Sequence, residues 1–166
     1  MTSEDAAGTD LIISRLFHAP RPLVWNVLTD ARHIAAWWGP EGLTTRVERH
    51  EFRVGGHWRY VMVAQDGREY PAEGMFIDIE PPERFVTTDE FGPDYTPPDG
   101  GDLPTGTVMT VTFESLGDAT RLTLHLSHRT AALRRRHEEM GVLPGWNSAL
   151  DKLATYLSTL ETEARP

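Results

Sequence analysis

The stretch GWNSALDKLATYLSTL, residues 145–160, decides the fold. Trp146, Leu150, Leu153, Leu157 and Leu160 recur at spacings of three and four, which gathers them into one apolar stripe of an α-helix. Asn147, Ser148, Asp151, Lys152 and Thr155 fall mainly off that stripe. Such a helix reaches about 25 Å, and its apolar face needs a surface to cover.

The preceding sequence supplies that surface. Between residues 44 and 126 the pattern is one of strands with turn signals at intervals, at 54–57, 65–68, 81–84 and 116–119. Met109, Val111 and Phe113 alternate with Thr110, Thr112 and Glu114, and Leu122, Leu124 and Leu126 alternate with Arg121, Thr123 and His125. Trp58, Tyr60 and Met62 form a third apolar set. One apolar and one polar face per strand is the signature of an antiparallel sheet covered on one side. Upstream, residues 11–17 read as a first strand ended by Ala19-Pro20-Arg21-Pro22. Pro22 opens a short helix holding Leu23, Val24, Val27 and Leu28, and Asp30 caps a second with Ile34, Trp37 and Trp38, stopped by Gly39-Pro40. The expected architecture is α+β: two short helices after the first strand, then a curved antiparallel sheet wrapped around the long C-terminal helix. A curved sheet around one helix leaves space between them, and that space is a pocket.

The expected organisation is a disordered tail over residues 1–9, with little apolar content, and a single domain over 10–162. Residues 92–106, rich in Pro, Gly and Asp, read equally as a functional loop and as a variable insertion. Hydrophobic residues make up 39 % of the 166 and charged residues 25 %, the balance of a globular protein. The absence of cysteine excludes disulfides, thiolate metal sites and cysteine nucleophiles. No apolar run approaches the roughly 20 residues of a membrane helix, and the polar, acidic start MTSEDAAGTD is unlike a signal or transit peptide. The expectation is a cytoplasmic protein with no membrane partner. A formal charge of −9 disfavours a phosphate backbone as ligand, so no nucleic-acid partner is expected. The basic run Arg134-Arg135-Arg136-His137, followed by Glu138-Glu139, reads as a solvated helical face.

Several local motifs resemble one family. They are Phe17-His18-Ala19-Pro20 with Val24-Trp25, the run Trp37-Trp38-Gly39-Pro40-Glu41-Gly42, Gly55-Gly56-His57-Trp58-Arg59, Asp66-Gly67 and Gly74-Met75-Phe76. Pro81-Pro82-Glu83-Arg84, Thr120-Arg121-Leu122-Thr123 and Gly145-Trp146 through Leu150-Asp151-Lys152-Leu153 complete the set. In order and spacing the chain resembles the SRPBCC superfamily (START-like, Bet v 1-like) with its helix-grip fold. Within it the chain is similar to single-domain bacterial proteins related to the C-terminal domain of the activator of Hsp90 ATPase. The resemblance implies a binder of small hydrophobic molecules, a cyclase or dehydratase, or a regulator of an Hsp90-type chaperone, and it carries no universal catalytic residue.

The residues lead to a binding reading. The wall of the sheet–helix cavity is expected from Trp37, Trp38, Tyr60, Met62, Phe76, Phe113, Trp146 and Leu150, within a wider aromatic and Met set that includes Trp58, Met75, Met109 and Met140. The expected ligand is a small apolar or aromatic molecule. A cyclase- or dehydratase-like enzyme acting on an aromatic or polyketide-like substrate is the first alternative, and a chaperone-regulating module the second. Glu73, Asp78, Asp89 and Glu90 are candidates for the inward general base that an enzyme would need, and Arg59 for its partner. No catalytic residue is assigned, since hydrolase elbows and phosphate-binding glycine loops are absent from the sequence. The seven histidines show no metal-ligand spacing: His125 and His128 point to opposite faces of a strand, and His50 and His57 lack a carboxylate partner. Neither metal nor cofactor is expected, and a homodimer is compatible with the sequence.

Overall fold

The computed structural model describes residues 8–92, 95–97, 100–101 and 103–164. Strand β1 (Asp10–Phe17) leads into helices α1 (Arg21–Thr29) and α2 (Ala31–Trp37). Strands β2 (Thr44–His50), β3 (His57–Val63), β4 (Glu69–Glu80), β5 (Arg84–Thr88), β6 (Glu90–Phe91), β7 (Val108–Leu116) and β8 (Ala119–Ser127) follow. Helices α3 (Ala131–Glu139) and α4 (Val142–Ala164) close the chain. The strands form one antiparallel sheet in the order β1-β8-β7-β5-β4-β3-β2, with β6 paired to β4.

Local chemistry explains the elements. Pro20 and Pro22 straddle the start of α1, where a missing N–H costs nothing. The Asp30 side chain accepts from the Arg32 N–H and caps α2. α2 ends before Trp38, whose backbone is extended; this ring leaves the helix that was expected to hold it. α4 starts at Val142, earlier than the stripe alone indicates, because Pro144 is tolerated in a first helical turn. Gly141, at φ 88°, separates it from α3 in a conformation that suits glycine.

The core lies between the sheet and α4. Leu150, Leu153 and Leu157 of α4 are buried, as are Phe113, Val111, Leu122, Leu124 and Leu126 of β7 and β8. The helix is also tied at its sides. Arg15 of β1 pairs with Asp151 and donates to the Asn147 carbonyl, Ser148 Oγ accepts from the Glu41 N–H, and Lys152 Nζ donates to the Leu43 carbonyl. Gly74 of β4 makes room for a core tryptophan: a Cβ there would lie 2.1 Å from the Thr88 carbonyl and 2.6 Å from Trp58 Nε1.

Three expectations change. Of the tail expected over 1–9, residues 1–7 lie outside the described residues, but Thr9 is held, its carbonyl accepting from the backbone N–H and Nδ1 of His128. The basic run 134–137 is solvated only in part, at Arg135. The Arg134 and Arg136 side chains are 17 % and 18 % exposed, and His137 is buried. Arg134 donates to the Gly8 carbonyl and pairs with Glu138, so it ties α3 to the residue two before β1. Met75, expected among the cavity-lining set, is exposed.

Candidate functional site

Two adjoining spaces lie between the sheet and the helices, and Trp38, Asp89 and Trp146 line both. The inner space is nearly filled, at about 40 Å³. Its polar groups satisfy one another. Trp58 Nε1 donates to Thr87 Oγ1 at 2.7 Å, and Tyr60 OH lies 2.7 Å from His50 Nδ1. His50 Nε2 donates to the Thr29 carbonyl, which leaves Nδ1 of a neutral ring to accept from Tyr60. Burial pushes the Tyr60 hydroxyl pKa up, so it stays a hydrogen-bond donor.

The outer space is a partly open cavity of about 340 Å³, within the range of ligand sites. The sheet side contributes Met62, Tyr70, Ala72 and Phe91, and the loop after β6 contributes Tyr95. The helical side contributes His137, Met140, Val142, Trp146 and Ala149, and the 38–43 segment closes the rim. Phe91 and Tyr95 stack at 5.4 Å, and Trp38 meets Trp146 edge-on at 6.2 Å. Gly39, at φ 93°, brings the rim against Met62; a Cβ there would lie 3.0 Å from its sulfur.

Asp89 sits at the break between β5 and β6, its N–H donating to the Thr107 carbonyl. Phe85 and Thr87 point inward, and period-two spacing carries Asp89 to the same side. Partial burial disfavours the charged carboxylate, and Glu90 adds repulsion, so its pKa is pushed up to about 6. Neither carboxylate oxygen has a hydrogen-bond donor among the described residues. The other three candidate carboxylates are engaged outside the cavity. Glu73 pairs with Arg59 at 2.8 Å, Asp78 with Arg84 at 2.6 Å, and Glu90 accepts from the Gly106 N–H.

His137 enters the wall through a relay. His128 Nδ1 donates to the Thr9 carbonyl at 2.8 Å, and His128 Nε2 lies 2.9 Å from His137 Nδ1. With both rings neutral, His137 Nδ1–H must be the donor, which leaves His137 Nε2 as an acceptor. Burial, followed by the neighbouring His128, lowers the His137 pKa to about 4 and keeps it neutral. Among the described residues no group of three or more His, Cys, Asp or Glu is arranged to hold a metal ion.

Of the residues expected in the wall, Trp38 and Trp146 line both spaces, Met62 the outer one, and Trp37, Tyr60 and Phe76 the inner one. Phe113 and Leu150 line neither. Each is 1 % exposed and belongs to the core, where the Phe113 ring meets Trp25 of α1 at 4.9 Å. Tyr70, Phe91, Tyr95 and His137 were missed as wall residues. The period-two continuation from Phe85 and Thr87 was the available signal for choosing Asp89, and the three-residue spacing of His137 and Met140 on one helix face was the signal for His137.

A sheet gripping one long helix, with an aromatic cavity at one end of the grip, defines a helix-grip protein of the SRPBCC superfamily. Residues 18–158 match the family model of the Activator of Hsp90 ATPase homolog 1-like proteins, and the chain belongs to that family. Solved structures agree. A protein from Mycobacterium smegmatis is 26 % identical with a TM-score of 0.80, covering 92 % of this chain and 93 % of its own. One from Arthrobacter aurescens is 29 % identical with a TM-score of 0.80, covering 92 % and 87 %. One from Silicibacter pomeroyi, which bears the family's abbreviated name, is 28 % identical with a TM-score of 0.69, covering 90 % and 98 %. No curated protein matches the chain. No helix among the described residues is long and apolar enough to cross a membrane.

Proposed function

We propose that the chain binds a small apolar or aromatic molecule in the cavity between the sheet and the C-terminal helix. The observation that carries this reading is the outer space of about 340 Å³ with its wall of Trp38, Tyr70, Phe91, Tyr95 and Trp146. Removing about 200 Å² of apolar ligand surface from water is worth about 5 kcal/mol before the cost of association is subtracted. Calorimetric titration with naphthalene-sized probes tests it. Trp146→Ala is expected to weaken binding by about tenfold, or 1.4 kcal/mol, while Ile12→Ala on the exposed face leaves it unchanged. Equal affinity in both variants removes Trp146 from the site.

A second reading, a cyclase- or dehydratase-like enzyme, is favoured by Asp89, a carboxyl group poised near neutral pH on an apolar wall. It predicts turnover of an aromatic or polyketide-like substrate that Asp89→Asn abolishes. The chaperone-module reading rests on the family's description alone.

A further inference from the structure

The charge pattern of the outer cavity narrows the ligand further. Its described lining holds one carboxylate, Asp89, and neither Lys nor Arg. The cations around it act elsewhere: Arg59 pairs with Glu48 and Glu73, Arg134 with Glu138, Lys152 donates to the Leu43 carbonyl, Arg68 bonds the Tyr70 hydroxyl at the rim, and Arg129 lies against Gly106. Asp89 is half-buried on this wall and open to solvent only through the cavity, so a ligand that fills the space must supply a partner for the carboxylate in place of water. The groups that face it are acceptors, neutral hydroxyls or another acid: His137 from α3, Tyr60 from β3, Tyr70 from β4, Tyr95 from the loop, and Glu90 beside it in sequence. None of them is a cation. Around the same space stand five aromatic rings, whose faces attract cations.

We propose that this cavity takes an ammonium-bearing ligand with an apolar body, the Asp89 carboxylate serving as counter-charge and the rings of Trp38, Tyr70, Phe91, Tyr95 and Trp146 as its cation–π wall. The inference rests on the binding reading above and adds the chemical class. An ammonium has several N–H donors, so the bare Nε2 that His137 holds through its relay accepts a second bond from it. An anionic ligand finds no Lys or Arg in the described lining and is repelled by Asp89. The net charge of −9 draws cations toward the molecule at long range and weakens that attraction as salt rises.

The test uses three probes with one naphthyl body: 2-(2-naphthyl)ethylamine, 2-(2-naphthyl)ethanol and 2-naphthylacetate, titrated calorimetrically into the full chain near neutral pH. The amine is expected to bind at least about tenfold tighter than the alcohol, with the acetate weakest. Asp89→Asn is expected to remove most of the amine's preference over the alcohol. A second measurement needs no variant: raising the salt concentration should weaken amine binding to the wild-type chain and leave alcohol binding nearly constant, and an amine affinity as insensitive to salt as the alcohol's overturns the ion pair. Equal affinities for amine and alcohol, or a preference that survives Asp89→Asn, overturns the amine class while the pocket stands. If none of the three probes binds, the pocket reading falls and the amine class with it.

Discussion

Asp89 and His137 face one cavity, and the fold treats them in opposite ways. For Asp89 the folded-state pKa of about 6 lies above the ordinary carboxyl value of 3.8. Between those values the folded chain holds a proton that the unfolded chain has lost, so this residue's contribution to stability falls as pH rises. For His137 the folded-state pKa of about 4 lies below the ordinary imidazole value of 6.5, so its contribution falls as pH drops through that window. In the wild-type chain the two slopes oppose each other between about pH 4 and 6. Chemical denaturation across this window should therefore show a shallow dependence in the wild type. Asp89→Asn should expose the histidine slope, with stability rising toward neutral pH. It should also be more stable than wild type above pH 6 by about 1–3 kcal/mol, a figure reduced because the carboxyl is partly exposed through the cavity. His137→Leu should expose the opposite slope. Parallel pH curves for wild type and Asp89→Asn would show that Asp89 ionises in the fold as it does in the unfolded chain.

Among the elements, α4 and the pair β7–β8 were the most legible in the sequence, because their inward residues are Leu, Val and Phe at unbroken helical and strand periods. That regularity marks positions whose environment is uniformly apolar, and Leu153, 0 % exposed, is the centre of it. Leu153→Ala should cost about 2–5 kcal/mol in unfolding free energy, measurable by urea denaturation, with the m-value unchanged. The wall of the outer cavity was less legible, because its residues come from places where regularity ends. Asp89 lies between β5 and β6, Tyr95 in the loop after β6, and His137 within an arginine run whose composition reads as solvent-facing. Phe113 and Leu150 were misplaced for the converse reason. An apolar residue at an inward position of a helix or strand has the same pattern whether it meets another side chain or a space, and only the tertiary neighbours, Trp25 and Phe85 in the case of Phe113, decide between the two.

Taken whole, the molecule grips its helix tightly in the middle and loosely at one end, and Trp38 stands at the transition. Its ring lies 5.2 Å from Tyr60 and 6.3 Å from Trp58 on the inner side, and 6.2 Å from Trp146 on the outer side. The extended backbone at residue 38, its N–H bonded to Ile34 and its carbonyl accepting from Thr45 Oγ1, holds the ring there. Trp38 therefore separates the space of about 40 Å³ from that of about 340 Å³. Removing the ring should join them, extending the cavity inward along Tyr60 and Phe76. The cost in stability should be about 2–4 kcal/mol, at the lower side of large-to-small core changes because Trp38 is only partly buried. The functional consequence runs the other way. Trp38→Ala should lose affinity for a two-ring amine, which loses a cation–π face, and gain affinity for a three-ring amine too long for the outer space alone. The ratio of the two affinities should shift toward the larger probe by about tenfold. This pair of titrations separates a dividing wall from a merely stabilising ring: if both affinities fall in proportion, Trp38 supports the cavity without setting its length.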